Sequence, residues 1–167
     1  MLGTLKAEDD GRFALRFELP LAQSRDLVWH VITAPEPLSC WFPAVVNFEL
    51  KPGAQLRFKP TPAQIQRFNV PQDQTGAGQI TQVKRPEVLE FTWNDEVLRW
   101  ELRDDGKGGT VLIFTNIIAD RTAVAEVAAA WHAGLEVVKA QLEGKKLQTS
   151  MWERAEELAG DYANTMG

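Results

Sequence analysis

The chain has 167 residues, 44% hydrophobic and 25% charged, values typical of a globular protein with a single domain. Its formal net charge of −5 argues against nucleic acid or an anionic membrane surface as the main partner. One cysteine excludes an internal disulfide and a cysteine-built metal site, no stretch is apolar enough to span a membrane, and the N-terminus lacks a signal-peptide pattern, so we expect a cytoplasmic protein.

The first part of the chain predicts a strand followed by two short helices. Residues 1–10 show no periodic pattern, and we expect them to be a loose segment ahead of one domain at 11–167. Apolar side chains alternate with others from 13 to 19, which is the period of a strand. Ser24 is a suitable N-cap for a first helix, and Pro35 suits the first turn of a second one.

The middle of the chain predicts six strands joined mostly by short turns. Turn residues such as Pro52-Gly53 and Asn94-Asp95 separate the alternating segments. Residues 60–76 lack a period and contain three prolines, which indicates a long loop. The short links favour an antiparallel sheet. The predicted strands are 46–50, 56–58, 78–84, 89–93, 98–102 and 110–118.

The last part of the chain predicts a long helix and a short terminal one. Apolar residues recur at helical spacing before Gly144, which is suited to end the long helix. A shorter helical pattern runs from Trp152 to Tyr162. Strands followed by helices indicate an α+β fold with the long helix packed on one sheet face. The apolar stripe of the long helix consists of Val124, Val127, Trp131, Leu135, Val138 and Leu142.

Several short segments, taken in order, resemble one family. They are Val28-Trp29, Thr33-Ala34-Pro35-Glu36, Trp41-Phe42-Pro43, Leu50-Lys51-Pro52-Gly53-Ala54, Gly78-Gln79-Ile80, Pro86 to Trp93, Gly109-Thr110-Val111-Leu112 and Trp131-x-x-x-Leu135. This set resembles the AHSA-like branch of the START-like (SRPBCC) superfamily. The resemblance implies a helix-grip fold, in which a curved antiparallel sheet wraps a long C-terminal helix and two short helices lie between the first two strands.

The resemblance also implies a cavity between the sheet and the C-terminal helix that holds a small hydrophobic or amphipathic molecule. Some relatives in the superfamily are polyketide cyclases or dehydratases. Others activate the ATPase of the ninety-kilodalton heat-shock chaperone and use the domain to bind protein. The resemblance therefore implies a shape more firmly than an activity.

Alternation along the strands and the stripe of the helix predict which side chains face this cavity. Six tryptophans make the inward faces strongly aromatic. The side chains either fill the interval as a core or leave room for a ligand, and the sequence does not decide between these outcomes. The predicted cavity residues are Trp41, Phe48, Phe58, Phe91, Trp93, Trp100, Phe114, Asn116, Trp131 and Leu135.

Asn116 is the polar member of this set. An inward amide needs a hydrogen-bond partner, which would be water, a ligand carbonyl or another side chain. A cyclase-like enzyme would need an inward polar pair with a perturbed pKa. Glu90 is the nearest candidate partner in strand position, but alternation places it on the opposite face from Asn116.

The sequence predicts no catalytic set, metal site or cofactor site. His30 and His132 are far apart, and neither has the spacing of a metal ligand pair or of a nucleophile and its base. The leading hypothesis is therefore a carrier of a small hydrophobic ligand rather than an enzyme. A cyclase- or dehydratase-like activity is the first alternative, and a protein-binding module, with a chaperone as partner, is the second. Exposure of Trp29 or Trp152 would favour the second, although a homodimer would cover the same surface.

Overall fold

The computed structural model describes residues 2–166, which form one seven-stranded antiparallel sheet and five helices. The strands are β1 (Thr4–Ala7), β2 (Phe13–Leu21), β3 (Gln55–Phe58), β4 (Gly76–Lys84), β5 (Val88–Trp93), β6 (Glu96–Asp104) and β7 (Thr110–Ile118). The helices are α1 (Arg25–Thr33), α2 (Pro35–Trp41), α3 (Pro62–Phe68), α4 (Val124–Glu143) and α5 (Met151–Met166). The strand order across the sheet is β1-β2-β7-β6-β5-β4-β3, so β1 and β3 are its edges.

The curved sheet wraps α4, which confirms the predicted α+β helix-grip fold. Trp131 of α4 packs on Phe114 of β7 and Trp100 of β6, with ring centroids 4.6 and 6.2 Å apart. The helix ends where the sequence predicts, because Gly144 adopts the left-handed conformation with a φ of 68°. No helix within residues 2–166 is long and apolar enough to cross a membrane.

Helices α1 and α2 form a pair that packs against α4. The side chain of Ser24 caps α1 by accepting a hydrogen bond from the backbone N–H of Leu27. Trp41 at the end of α2 donates its indole N–H to the carbonyl of Val31, 3.0 Å away, and so joins the two helices. At Gly134 of α4, a Cβ would lie 3.1 Å from the carbonyl oxygen of Trp41, so glycine allows the two helices to approach closely.

The N-terminal segment differs from the prediction of a loose start at residues 1–10. It contains β1, which pairs with Phe13–Arg16 of β2. As a result, α1 and α2 lie between the second and third strands rather than the first two. The short, polar β1 has too few residues to show a period, and its position is set by pairing with β2.

The predicted strand at 46–50 is wrong. Only Val45 makes a bridge, to Lys59, and residues 46–50 follow without a ladder. Val46 is buried and Phe48 packs on Phe91, whereas Leu50 is 40% exposed. The alternation in this segment reflects packing on the core rather than hydrogen bonding to a neighbouring strand.

The predicted loop at 60–76 contains α3. Thr61 and Gln64 form a capping box at its start, and Pro62 lies in its first turn. None of its residues is buried, so the segment has no apolar stripe and no period to detect. The terminal helix is also longer than predicted, since α5 runs over 16 residues.

Candidate functional site

The predicted cavity residues lie together between the sheet and α4. Trp100 stacks on Phe114 with ring centroids 4.0 Å apart, and Phe58 stacks on Trp93 at 4.4 Å. Most of the set is almost completely buried, and Leu135 is 1% exposed. The aromatic rings therefore occupy the interval between sheet and helix, and the open space that remains is at its rim.

Phe42 is the centre of this aromatic cluster and was not among the predicted cavity residues. It follows α2 directly, and its ring lies 5.7 Å from that of Trp93 and 5.9 Å from that of Trp131. It also contacts the rings of Phe48 and Phe58, each at 6.3 Å. The segment around it has no strand or helix period, so its inward position comes from the chain path after α2.

A groove lies beside this cluster, beneath α3 and the segment that leads to β4. Its volume is about 240 Å³. Phe58 and Trp93 form its aromatic floor, and Val70 contributes to its wall. Gln64 of α3 donates a hydrogen bond to the carbonyl of Pro43, 2.7 Å away, and holds the helix over the groove.

The indole ring of Trp93 is the part of the cluster that this groove exposes. Trp93 is half-buried and, unlike the indole N–H groups of Trp41 and Trp131, its Nε1 has no acceptor within residues 2–166. Gly76 lies directly beside that nitrogen, because a Cβ on Gly76 would be 2.6 Å from it. The groove therefore offers part of the indole ring and an available N–H donor.

Asn116 is satisfied by other side chains, one of the three outcomes that the sequence allowed. It is 1% exposed, and its Oδ1 accepts the indole N–H of Trp131 at 3.2 Å. Its Nδ2 donates to Glu96 Oε1 at 3.0 Å and to the carbonyl of Val97 at 3.2 Å. This chain runs from the aromatic cluster to a carboxyl group near the surface.

Glu96 is the functional candidate that sequence reasoning missed. It begins β6 on the same face as Leu98 and Trp100, and alternation through the strand would have placed it inward. Burial raises its pKa, the bond from Asn116 opposes that rise, and the charge of Asp95 adds to it. Glu90 faces outward as predicted, where it forms an ion pair with Arg99 at 2.9 Å.

His132 is buried on the other side of α4, and His30 is exposed. His132 Nδ1 and the hydroxyl of Tyr162 are 2.7 Å apart, and that hydroxyl accepts the backbone N–H of Gly3 at 2.9 Å. Burial lowers the pKa of His132 despite the nearby carboxylate of Glu136. These contacts join the N-terminal segment, α4 and α5.

The two tryptophans considered as partner-binding surface differ in exposure. Trp29 is 2% exposed, so it provides no aromatic surface for a partner. Trp152 is half-buried and packs on Phe68, which is 50% exposed, with ring centroids 5.3 Å apart. Within residues 2–166 there is no group of three or more potential ligands that could hold a metal ion.

Comparison with models of known protein families identifies the family of the chain. Residues 22–144 match the family model described as "Activator of Hsp90 ATPase homolog 1-like protein". The chain belongs to this family. The membership confirms the AHSA-like resemblance that the sequence segments indicated. A search of curated proteins found no significant match.

Solved structures from three bacteria share the fold. A conserved protein of unknown function from Enterococcus faecalis has a TM-score of 0.73 and 17% identity, over 99% of this chain and 92% of that one. A protein from Bordetella parapertussis has a TM-score of 0.72 and 22% identity, over 99% and 96%. CalU16 from Micromonospora echinospora has a TM-score of 0.68 and 17% identity, over 97% and 94%. At these identities the similarity shows the fold alone.

Proposed function

We propose that the protein binds a small hydrophobic molecule in the groove beneath α3, at the rim of the interval between the sheet and the C-terminal helix. The supporting observation is the half-buried ring of Trp93, which stacks on Phe58 and leaves its indole N–H without an acceptor within residues 2–166. Apolar ring surface with one in-plane N–H donor suits a small aromatic molecule that carries a hydrogen-bond acceptor.

The size of the groove limits the ligand. Its volume of about 240 Å³ is below the roughly 300–1,000 Å³ of sites for drug-sized molecules. One or two fused rings therefore fit better than a long acyl chain. The aromatic cluster that fills the rest of the interval would have to separate before a larger molecule could enter, at the cost of the packing around Phe42.

Calorimetric titration with quinoline tests this proposal, because quinoline has two fused rings and one acceptor nitrogen. Val70→Asp places a charge on the groove wall, and we expect it to weaken binding by about tenfold or more. Val45→Asp is the matched control, because Val45 is 47% exposed and does not line the groove. We expect it to leave the affinity for quinoline unchanged.

A second variant tests the role of the indole donor. Trp93→Phe keeps an aromatic ring and removes Nε1, so we expect quinoline to bind about three- to tenfold more weakly. Equal losses in Val70→Asp and Val45→Asp, or full affinity in Trp93→Phe, would show that quinoline binds elsewhere and would refute the proposal.

A further inference from the structure

A second cavity lies on the other side of the β5–β6 turn from the groove. It has a volume of about 430 Å³ and is bounded by that turn, the loop after β7 and the start of α4. Ile118 and Val127 form apolar parts of its wall, and Glu96 contributes a carboxyl group from the inward face of β6. The cavity thus combines apolar surface with one half-buried acid.

The position of the Glu96 carboxyl is fixed by the buried amide of Asn116. The indole N–H of Trp131 can only donate a hydrogen bond, so Asn116 must present Oδ1 to it and Nδ2 to Glu96. A flipped amide would place two donors face to face. Glu96 Oε1 is therefore held, whereas no residue within 2–166 donates a hydrogen bond to Oε2.

Within residues 2–166 the cavity wall supplies no cationic side chain to this carboxylate. No lysine, arginine or histidine within residues 2–166 lines the cavity, and α4 contributes no charged side chain to it. Arg121, in the adjoining loop, instead lies over the ring of Phe13, 5.7 Å from its centroid, and donates to the carbonyl of Met166. Asp120 Oδ1 accepts hydrogen bonds from the backbone N–H and the hydroxyl of Thr122.

We propose that this cavity binds a small organic cation, a primary ammonium group on a short apolar chain, with the Glu96 carboxylate as its anchor. The ammonium group donates to Oε2, and the chain lies against Ile118 and Val127. A charge-assisted hydrogen bond to a partly desolvated carboxylate is stronger than one between neutral groups. This site is separate from the groove beneath α3, so either proposal can fail without the other.

Titration of the full chain with n-butylammonium chloride, followed by amide chemical shifts, tests this site. Glu96→Gln removes the charge but keeps an oxygen that accepts from Asn116, so we expect the fold to be retained and the affinity to fall about tenfold or more. Asp95→Asn is the matched control, because Asp95 also lines the cavity but is exposed. We expect it to weaken binding by about threefold or less.

The pH dependence and a neutral probe separate this interaction from others. Asp95 and Asp120 are the other titratable groups that line the cavity. Binding of n-butylammonium should strengthen from about pH 4 to pH 7 as Glu96 ionises, and n-butanol should bind at least about tenfold more weakly. Equal binding of n-butanol, equal losses in the two variants, binding that weakens as the pH rises, or no detectable binding would overturn the proposal.

Discussion

At the residue scale, burial of Glu96 has a consequence for stability. Its raised pKa means that the folded chain holds the carboxyl proton more tightly than the unfolded chain does. Between the unfolded and folded pKa values the folded state binds more protons, so the free energy of unfolding falls as the pH rises through this window. At neutral pH the ionised carboxyl therefore lowers the free energy of unfolding.

We therefore expect Glu96→Gln to raise the free energy of unfolding at pH 7 relative to the natural sequence. The difference should shrink below about pH 4, where both states of the natural protein carry a neutral carboxyl. Urea unfolding at several pH values measures this. Glu8→Gln, at an exposed site, is the control and should change stability by about 0.5 kcal/mol or less. A Glu96→Gln variant that is less stable than the natural sequence at pH 7 would contradict this reasoning.

At the element scale, two glycines that look alike in the sequence have opposite roles. A Cβ on Gly78 of β4 would lie 1.8 Å from the carbonyl oxygen of Thr92, so β4 and β5 could not keep their spacing. Gly160 is exposed on α5, with no atom within 4 Å of such a Cβ. The first glycine is required by close approach of two backbones, and the second is not.

We expect Gly78→Ala to destabilise the fold by about 1–3 kcal/mol or more, because a backbone atom cannot move aside as a flexible side chain would. Gly160→Ala should instead stabilise it by about 0.5–1 kcal/mol, since alanine is the better helix former. Thermal unfolding of the two variants measures both effects. Similar changes in stability in the two variants would show that the close approach of β4 and β5 does not cause the destabilisation.

The elements also show where sequence reasoning succeeds. The stripe of α4 and the alternation of β5 to β7 predict their elements because those residues pack on a continuous core. Helix α3 has no buried residue, so its signals were the capping box of Thr61 and Gln64 and the proline in its first turn. The segment at 46–50 alternates but lacks a ladder, because burial and strand pairing are separate requirements.

The same distinction applies to the candidate site. Strand alternation predicted most of the aromatic cluster. Phe42 lies in a segment without a period, so only the folded structure shows its central position. Glu96 had a readable signal, since it begins the alternation that continues through Leu98 and Trp100. Because charged side chains are mostly exposed, a glutamate directly after the Asn94-Asp95 turn is easily assigned to the turn rather than to the inward face of the strand.

At the scale of the whole molecule, the Tyr162 hydroxyl joins both ends of the chain to α4. Burial favours the neutral imidazole of His132, and its Nε2 faces the Glu136 carboxylate at 3.6 Å, so we assign the ring proton to Nε2 and the Tyr162 hydroxyl as the donor to Nδ1. Burial lowers the pKa of His132, so the unfolded state binds more protons below about pH 6.5. The free energy of unfolding should therefore fall as the pH falls through this range.

We expect Tyr162→Phe to destabilise the protein by about 1–3 kcal/mol at pH 7, because it leaves Gly3 N and His132 Nδ1 without their shared partner. The loss of stability between pH 7 and pH 5 should also become shallower, since nothing then holds Nδ1 as an acceptor. Glu136 and Arg154 also act on His132 and are unchanged in this variant. Urea unfolding at the two pH values measures both effects, and an unchanged slope would contradict the role of the hydroxyl.

The proposed ligand site is the groove beneath α3, where a flat apolar molecule would lie against Trp93. The most direct test is the indole N–H region of a ¹⁵N–¹H spectrum, which reports on all six tryptophans, during titration with quinoline. We expect the Trp93 signal, assigned through Trp93→Phe, to shift saturably while that of buried Trp29 stays in place. A stationary Trp93 signal at saturating quinoline, or shifts confined to other tryptophans, would contradict the claim.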